Sequence, residues 1–380
     1  MADGLTLITG LSSLGDLDGP SSVLIRDGRV AALDADATRD AGSATVIRAD
    51  GLTAVPGFIE LQLNGMDGHD FTSDPESMWK AGDGPARFGV TAFLPTIVTS
   101  PRGAVEAALE AWRAGTPRAA PVPLGLHVEG PYLSPARAGA HDPSLLRAAD
   151  RDEIAGWLAG DGLRIVTLAP ELPGSLEAIR QLAAAGVVAS VGHTDADAAT
   201  TRRAIDAGAR YATHLFNAMS PLGHRAAGAP GVLLADERVT VGLILDGNHL
   251  DPVVTELVAR LARGRISLVS DAIAALGLPD GTHRLGARGV EVKDGRAELP
   301  DGTLAGSVAG LDACVRELAR VTGSARAAVE AVTAVPARLL GLADRGDLRP
   351  GAHADVVLLD SNLEIRTTIV GGRVAYDAGP

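Results

Sequence analysis

Val187-Val188-Ala189-Ser190-Val191-Gly192-His193-Thr194 is an apolar, β-prone run that stops at a glycine and a histidine. A helical pattern follows over residues 195–207, and a second short run, Tyr211-Ala212-Thr213, ends in His214-Leu215-Phe216-Asn217. Strand, helix and strand in this order form a βαβ unit, in which the helix carries the chain back so that the two strands lie parallel. The same alternation extends outward in both directions. Further β-prone runs occupy 57–61, 91–94, 124–128, 164–168, 240–245 and 266–269, and helical patterns such as 174–185 and 251–263 lie between them. Eight runs with interposed helices predict an α/β chain built on a closed, TIM-like (β/α)8 barrel. The other architecture open to such a pattern is a doubly wound sheet, but no G-x-G-x-x-G follows the first run, which weighs against it.

The two ends of the chain share a different texture. Residues 5–8, 22–26, 29–33 and 45–48 are short β-prone runs, with Asp27-Gly28 as a hairpin turn, and 355–359, 365–370 and 373–376 repeat them around a Gly371-Gly372 turn. Neither end has enough strands for a stable layer, so together they predict one small β-sandwich beside the barrel. The expected division is a discontinuous sandwich domain of residues 1–54 plus 343–380 and a catalytic barrel of residues 55–342. Within the barrel, 282–304 reads as a β-rich insertion with an Asp294-Gly295 turn, followed by helical patterns at 311–321 and 325–340.

A length of 380 residues suits a barrel of about 250 residues plus a modest second unit. With 3% aromatic residues and a net charge of −13, the chain offers neither a stacking platform nor a basic stripe, so neither nucleic acid nor a membrane is expected as partner. The single cysteine, Cys314, excludes an intrachain disulfide, fits a reducing compartment and reads as a small buried hydrophobe. The first residues lack a basic leader, and no apolar run approaches the ~20 residues of a membrane span. A soluble, cytoplasmic protein is expected.

Several runs end in a chemically useful residue. The third ends in His127-Val128-Glu129-Gly130-Pro131, the fifth in Gly192-His193-Thr194, the sixth in Thr213-His214, the seventh in Asp246-Gly247-Asn248-His249 and the eighth in Ser270-Asp271-Ala272. The carboxyl ends of barrel strands surround one site. Each residue alone is a weak signal, because a histidine beside a strand end is more often structural than a ligand. Together, Glu129, His193 and His214 predict one carboxylate and two imidazoles converging, an open ligand set for zinc or a similar divalent ion. Asp271 faces the same centre and suits a general base that next serves as general acid. His127, two residues before Glu129 and so deeper on the same face, suits a packing role rather than ligation. The bland reading is a solvated polar rim, which needs four strands to have placed suitable groups by chance.

These stretches resemble the amidohydrolase superfamily, and within it the N-acetylglucosamine-6-phosphate deacetylase family, essentially end to end. Carrying the resemblance, besides the strand ends above, are Pro56-Gly57-Phe58-Ile59-Glu60-Leu61-Gln62-Leu63-Asn64-Gly65, Glu129-Gly130-Pro131-Tyr132, His214-Leu215-Phe216-Asn217-Ala218-Met219 and Gly302-Thr303-Leu304-Ala305-Gly306-Ser307. The resemblance implies a barrel with a β-sandwich, a homodimer, and hydrolysis of N-acetyl-D-glucosamine 6-phosphate to D-glucosamine 6-phosphate and acetate. It implies Glu129, His193 and His214 as metal ligands, Asp271 as acid/base, and His141, in Gly139-Ala140-His141-Asp142, as the group that polarises the acetyl carbonyl. Asn217, Ala218, Arg225 and His249 correspond to substrate and phosphate contacts, and Ala140, Gln62 and Asn64 join them at the substrate site.

A phosphate on so acidic a chain must be gripped by a few local donors, and the resemblance implies a phosphate site close to the dimer interface, where Arg225 can serve the neighbouring subunit's substrate. Gln62-Leu63-Asn64 stands where many members of the superfamily carry His-x-His. Neutral amides are poor ligands for a second cation, so one divalent ion per subunit is expected, with Zn2+ the first choice. Two other readings stay open: an N-acetylgalactosamine-6-phosphate deacetylase, and a barrel that has lost catalysis and serves as a scaffold. The intact Glu129, His193, His214 and Asp271 weigh against the second.

Overall fold

The computed structural model describes residues 4–115 and 120–379. Eight parallel strands form its centre: Phe58–Leu63, Val90–Val98, Leu126–Glu129, Leu163–Leu168, Val188–Val191, Tyr211–Ala212, Thr240–Leu243 and Ile266–Leu268. Each pairs with its sequence neighbour, so the expected (β/α)8 barrel is observed. Every residue of the first two strands is buried, as expected where helices cover one face of a sheet and side chains fill the other. The helices begin where their caps say they should. Asp197 accepts from Thr200 N–H at 2.7 Å ahead of Ala198–Ala207, and Asp251 caps Pro252–Leu261 with Pro252 in the first turn. Leu311, Cys314, Val315 and Leu318 form the buried face of Leu311–Thr322, which places Cys314 in the core.

Closure between the first and eighth strands is not a ladder. Among the described residues it rests on one parallel bridge, Leu63 to Ala272, with Asp271 N–H donating to the Gln62 carbonyl at 3.0 Å and Asn64 N–H to the Ala272 carbonyl at 2.8 Å. Toward the amino ends, Ile59 N–H donates to the Val332 carbonyl at 2.7 Å and Leu268 N–H to the Ala331 carbonyl at 3.0 Å. These carbonyls are available because the single helical pattern expected over 325–340 is in fact two helices, Ala325–Glu330 and Ala334–Leu339. An unbroken helix would return the Val332 carbonyl to residue 336, but Pro336 has no N–H to offer. Glu60 adds a third stitch. Its buried carboxylate accepts Gln62 N–H and Ser270 N–H, both at 2.9 Å, across the same seam.

The termini form two four-stranded sheets. One contains Leu5–Thr9, Ser22–Arg26, Arg29–Leu33 and Thr45–Arg48, and the other Thr53–Pro56, Val356–Leu359, Ile365–Val370 and Arg373–Asp377. Ile8, Val23 and Ile25 from the first pack with Val356, Leu358 and Ile369 from the second in one apolar layer. The expected border between residues 54 and 55 falls inside the strand Thr53–Pro56. At Asp27-Gly28, Gly371-Gly372 and Asp294-Gly295 both turn residues have positive φ, the conformation of the tight hairpin these dipeptides favour.

Aromatic side chains are scarce, so each buried one matters. Trp157 is fully buried and stacks on Tyr132 with ring centroids 5.5 Å apart. Trp157→Ala should lower the unfolding free energy by about 3–5 kcal/mol, read from denaturant titration. A loss under about 1 kcal/mol would mean that the site collapses around the truncation.

Candidate active site

Backbone reversals at the carboxyl ends of the strands aim the polar groups. His193, His214 and Asp271 have φ of 46°, 28° and 50°, and Phe216 and Ala218, in the loop after the sixth strand, have 77° and 51°. Side chains enter this left-handed region at a cost of about 1–2 kcal/mol each. Among the other described non-glycine positions only Leu363 and four aspartates do so; aspartate and histidine enter this region more readily than most side chains. Strain gathered on one rim persists only where surrounding packing enforces it, which is common at functional sites.

Glu129 Oε1 lies 3.3 Å from His193 Nε2 and 3.1 Å from His214 Nε2, and the two nitrogens are 3.2 Å apart. All three side chains are buried. His193 Nδ1 lies 2.9 Å from the Arg137 carbonyl; it must donate there, which leaves the lone pair on Nε2 facing Glu129 and His214. His214 Nδ1 is buried and has no hydrogen-bond partner among the described residues, and its Nε2 faces Glu129 and His193. A buried carboxylate and two imidazole lone pairs, with ligand atoms within 4.8 Å of one another, fit a divalent cation far better than they fit each other.

Asp271 Oδ1 accepts from Asn64 Nδ2 at 2.7 Å and Gln62 Nε2 at 3.0 Å, and the Gln62 amide also lies 3.2 Å from both Glu129 oxygens. Gln62 and Asn64 thus bind carboxylates through their amide nitrogens. Burial, then the charge of Glu129, push the Asp271 carboxyl up to about 6. His141 Nε2 is 3.9 Å from Glu129 Oε2, and burial pulls this imidazole down to about 3, so it is neutral near pH 7.

Glu129, His141, His193, His214 and Asp271 share the wall of a cavity of about 440 Å³. Asn64, Ala140, Asn217, Ala218 and His249 line the same cavity, and His249 Nδ1 is held by Asp246 Oδ2 at 2.9 Å. Gln62 lies fully buried beneath them. Arg225 does not join: it is exposed on the loop beyond Ser220 and is not part of the cavity wall. His127 uses both ring nitrogens, on the Leu61 carbonyl at 3.0 Å and Thr167 Oγ1 at 2.7 Å, which leaves none for ligation.

Three contributors escaped the sequence reading. Glu60 could have been found as a lone acid on the face of Gln62 in an otherwise apolar strand. Arg137 acts on His193 through its backbone, and Thr99 meets His141; no side-chain pattern announces either.

The Amidohydrolase family model matches residues 53–375. An N-acetylglucosamine-6-phosphate deacetylase from Bos taurus is 40% identical over 95% of this chain and 90% of its own. An N-acetylgalactosamine-6-phosphate deacetylase from Escherichia coli O157:H7 is 38% identical over 87% of this chain and 90% of its own. The solved structure of a mutant N-acetyl-D-glucosamine-6-phosphate deacetylase from Mycobacterium smegmatis, in complex with N-acetyl-D-glucosamine-6-phosphate, matches with a TM-score of 0.88. That pair is 35% identical, with 98% of this chain and 99% of the other covered. Likeness of this extent takes in both the barrel and the sandwich, and the chain belongs to the N-acetylglucosamine-6-phosphate deacetylase family of the amidohydrolase superfamily.

Proposed function

We propose that this chain hydrolyses the acetamide of N-acetyl-D-glucosamine 6-phosphate, giving acetate and D-glucosamine 6-phosphate. The observation that carries the reading is the meeting of Glu129, His193 and His214 with Asp271 and His141 on one cavity wall. Kinship supplies the sugar. Glu129, His193 and His214 would hold one divalent cation per subunit, and two imidazoles with a carboxylate suit Zn2+. When bound, the cation supplies Lewis acidity, stabilising negative charge on oxygen and making water more acidic.

The protein's own groups then divide the work. Asp271 takes a proton from the water that attacks the acetyl carbon. Its Oδ1 is fixed by Gln62 and Asn64, so the other oxygen serves the exchange, and a carboxyl raised toward neutrality both accepts and returns a proton readily. His141 faces the carbonyl oxygen as charge builds there. Asp271 next returns its proton to the sugar nitrogen, because an amide anion is too poor a leaving group to depart unaided.

Asn217, Ala218 and His249 are the substrate contacts we propose within the chain. Arg225 is exposed and carries no hydrogen bond or ion pair among the described residues, which suits a phosphate contact delivered to a second copy in a homodimer. Arg225→Ala should lower kcat/KM for the 6-phosphate by ~10²-fold, about 3 kcal/mol for a lost charge-assisted contact. The slow reaction with unphosphorylated N-acetylglucosamine should hardly change. Equal losses on both sugars would assign Arg225 to folding or assembly instead.

The E. coli relative's name supports a second substrate, N-acetylgalactosamine 6-phosphate, which differs at one hydroxyl; parallel assays rank the two. No described helix is long and apolar enough to cross a membrane. A cytoplasmic location is the reading supported by a single, buried cysteine.

A further inference from the structure

The second barrel strand ends at Val98 and delivers Thr99 against the inner edge of His141. Thr99 N–H donates to His141 Nδ1 at 3.3 Å, and the Thr99 hydroxyl lies 2.9 Å from the same nitrogen. A backbone N–H has no lone pair, so Nδ1 must be the acceptor. The one proton of the neutral ring therefore sits on Nε2, the nitrogen 3.9 Å from Glu129 Oε2. His193 is held the opposite way, with Nδ1 donating to the Arg137 carbonyl and the Nε2 lone pair facing the ligand cluster. Two histidines whose rings meet edge-on, with centroids 4.4 Å apart, are thus set in opposite tautomers. The room for Thr99 is built in. Gly130 has φ of 86°, and a Cβ there would lie 2.2 Å from Thr99 Oγ1.

We propose that Thr99 is a positioning residue for the deacetylation, fixing His141 as the Nε2–H tautomer so that the ring presents a donor to the acetyl oxygen and is withheld from the metal. The inference rests on the role of His141 proposed above. In the reversed tautomer Nε2 would turn a lone pair toward the carbonyl oxygen, and a third imidazole would compete for the cation. The hydroxyl is the shorter of the two contacts, and it can be removed without touching the backbone.

The test compares Thr99→Val, Thr99→Ser and His141→Ala in the metal-loaded full chain, reading kcat, KM and metal content. Thr99→Val should lower kcat about tenfold, the low end of the ~10–100-fold lost when a hydrogen-bond partner that orients a metal-binding histidine is removed. KM and metal content should stay at wild-type values, and Thr99→Ser should restore most of kcat. A Thr99→Val kcat equal to wild type overturns the inference, as does a Thr99→Ser variant impaired as much as Thr99→Val. In either case a large loss in His141→Ala leaves the role of His141 standing. If His141→Ala itself keeps wild-type kcat, that role fails and Thr99 has nothing to position.

Discussion

Asp271→Asn should keep its metal and its fold while kcat falls by ~10³-fold or more, about 4 kcal/mol of barrier. The substitution is chosen for its shape. Asparagine keeps an oxygen where Gln62 and Asn64 donate to Oδ1, so the side chain should hold its place at the end of the eighth strand. It cannot take a proton from water or return one to the sugar nitrogen, and both steps of the proposed mechanism stop there. The burial that raises Asp271 to about 6 no longer matters once the carboxylate is gone. KM and metal content should change little, since neither depends on a proton at this position. If the variant keeps more than about a tenth of wild-type kcat, another group moves the proton, because general acid–base catalysis is worth at least ~10²-fold.

Glu129→Ala should have the complementary signature, with the metal lost first and activity lost as a consequence. Glu129 is the only anion among the three clustered ligands, and its Oε1 approaches both His193 and His214. Without it, two imidazoles remain with Nε2 atoms 3.2 Å apart and no carboxylate among the clustered groups. Elemental analysis after dialysis should find about one divalent ion per wild-type chain and less than about a tenth of that in the variant. Activity should fall in proportion to the metal retained. A wild-type value near two would instead mean that Gln62 and Asn64 take part in a second site, contrary to the donor bonds their amides make to Asp271.

The barrel was legible because its strands are buried on both faces, so eight apolar runs stand out between helical stretches. Its closing seam was not. It depends on where single carbonyls fall, and helical periodicity over 325–340 hid the break that frees those of Ala331 and Val332. Pro336 was the visible warning. The clustered Glu129, His193 and His214 could be read because barrel geometry brings strand ends together whatever their distance in sequence. Glu60, inside a strand, lacks that positional signal, and Thr99 has it but was missed because the run read over 91–94 stops short of the strand's end at Val98. Arg225 shows the limit from the other side: a single chain leaves it outside the cavity, and its proposed partner is a second copy.

Acetate release by the purified, metal-loaded protein is the most direct test of the account. N-acetyl-D-glucosamine 6-phosphate should yield one acetate for each free amine formed. The rate should far exceed that with unphosphorylated N-acetylglucosamine, and it should collapse both on metal removal and in Asp271→Asn. Acetate release from the 6-phosphates of both N-acetyl sugars no faster than that of Asp271→Asn would contradict the assignment.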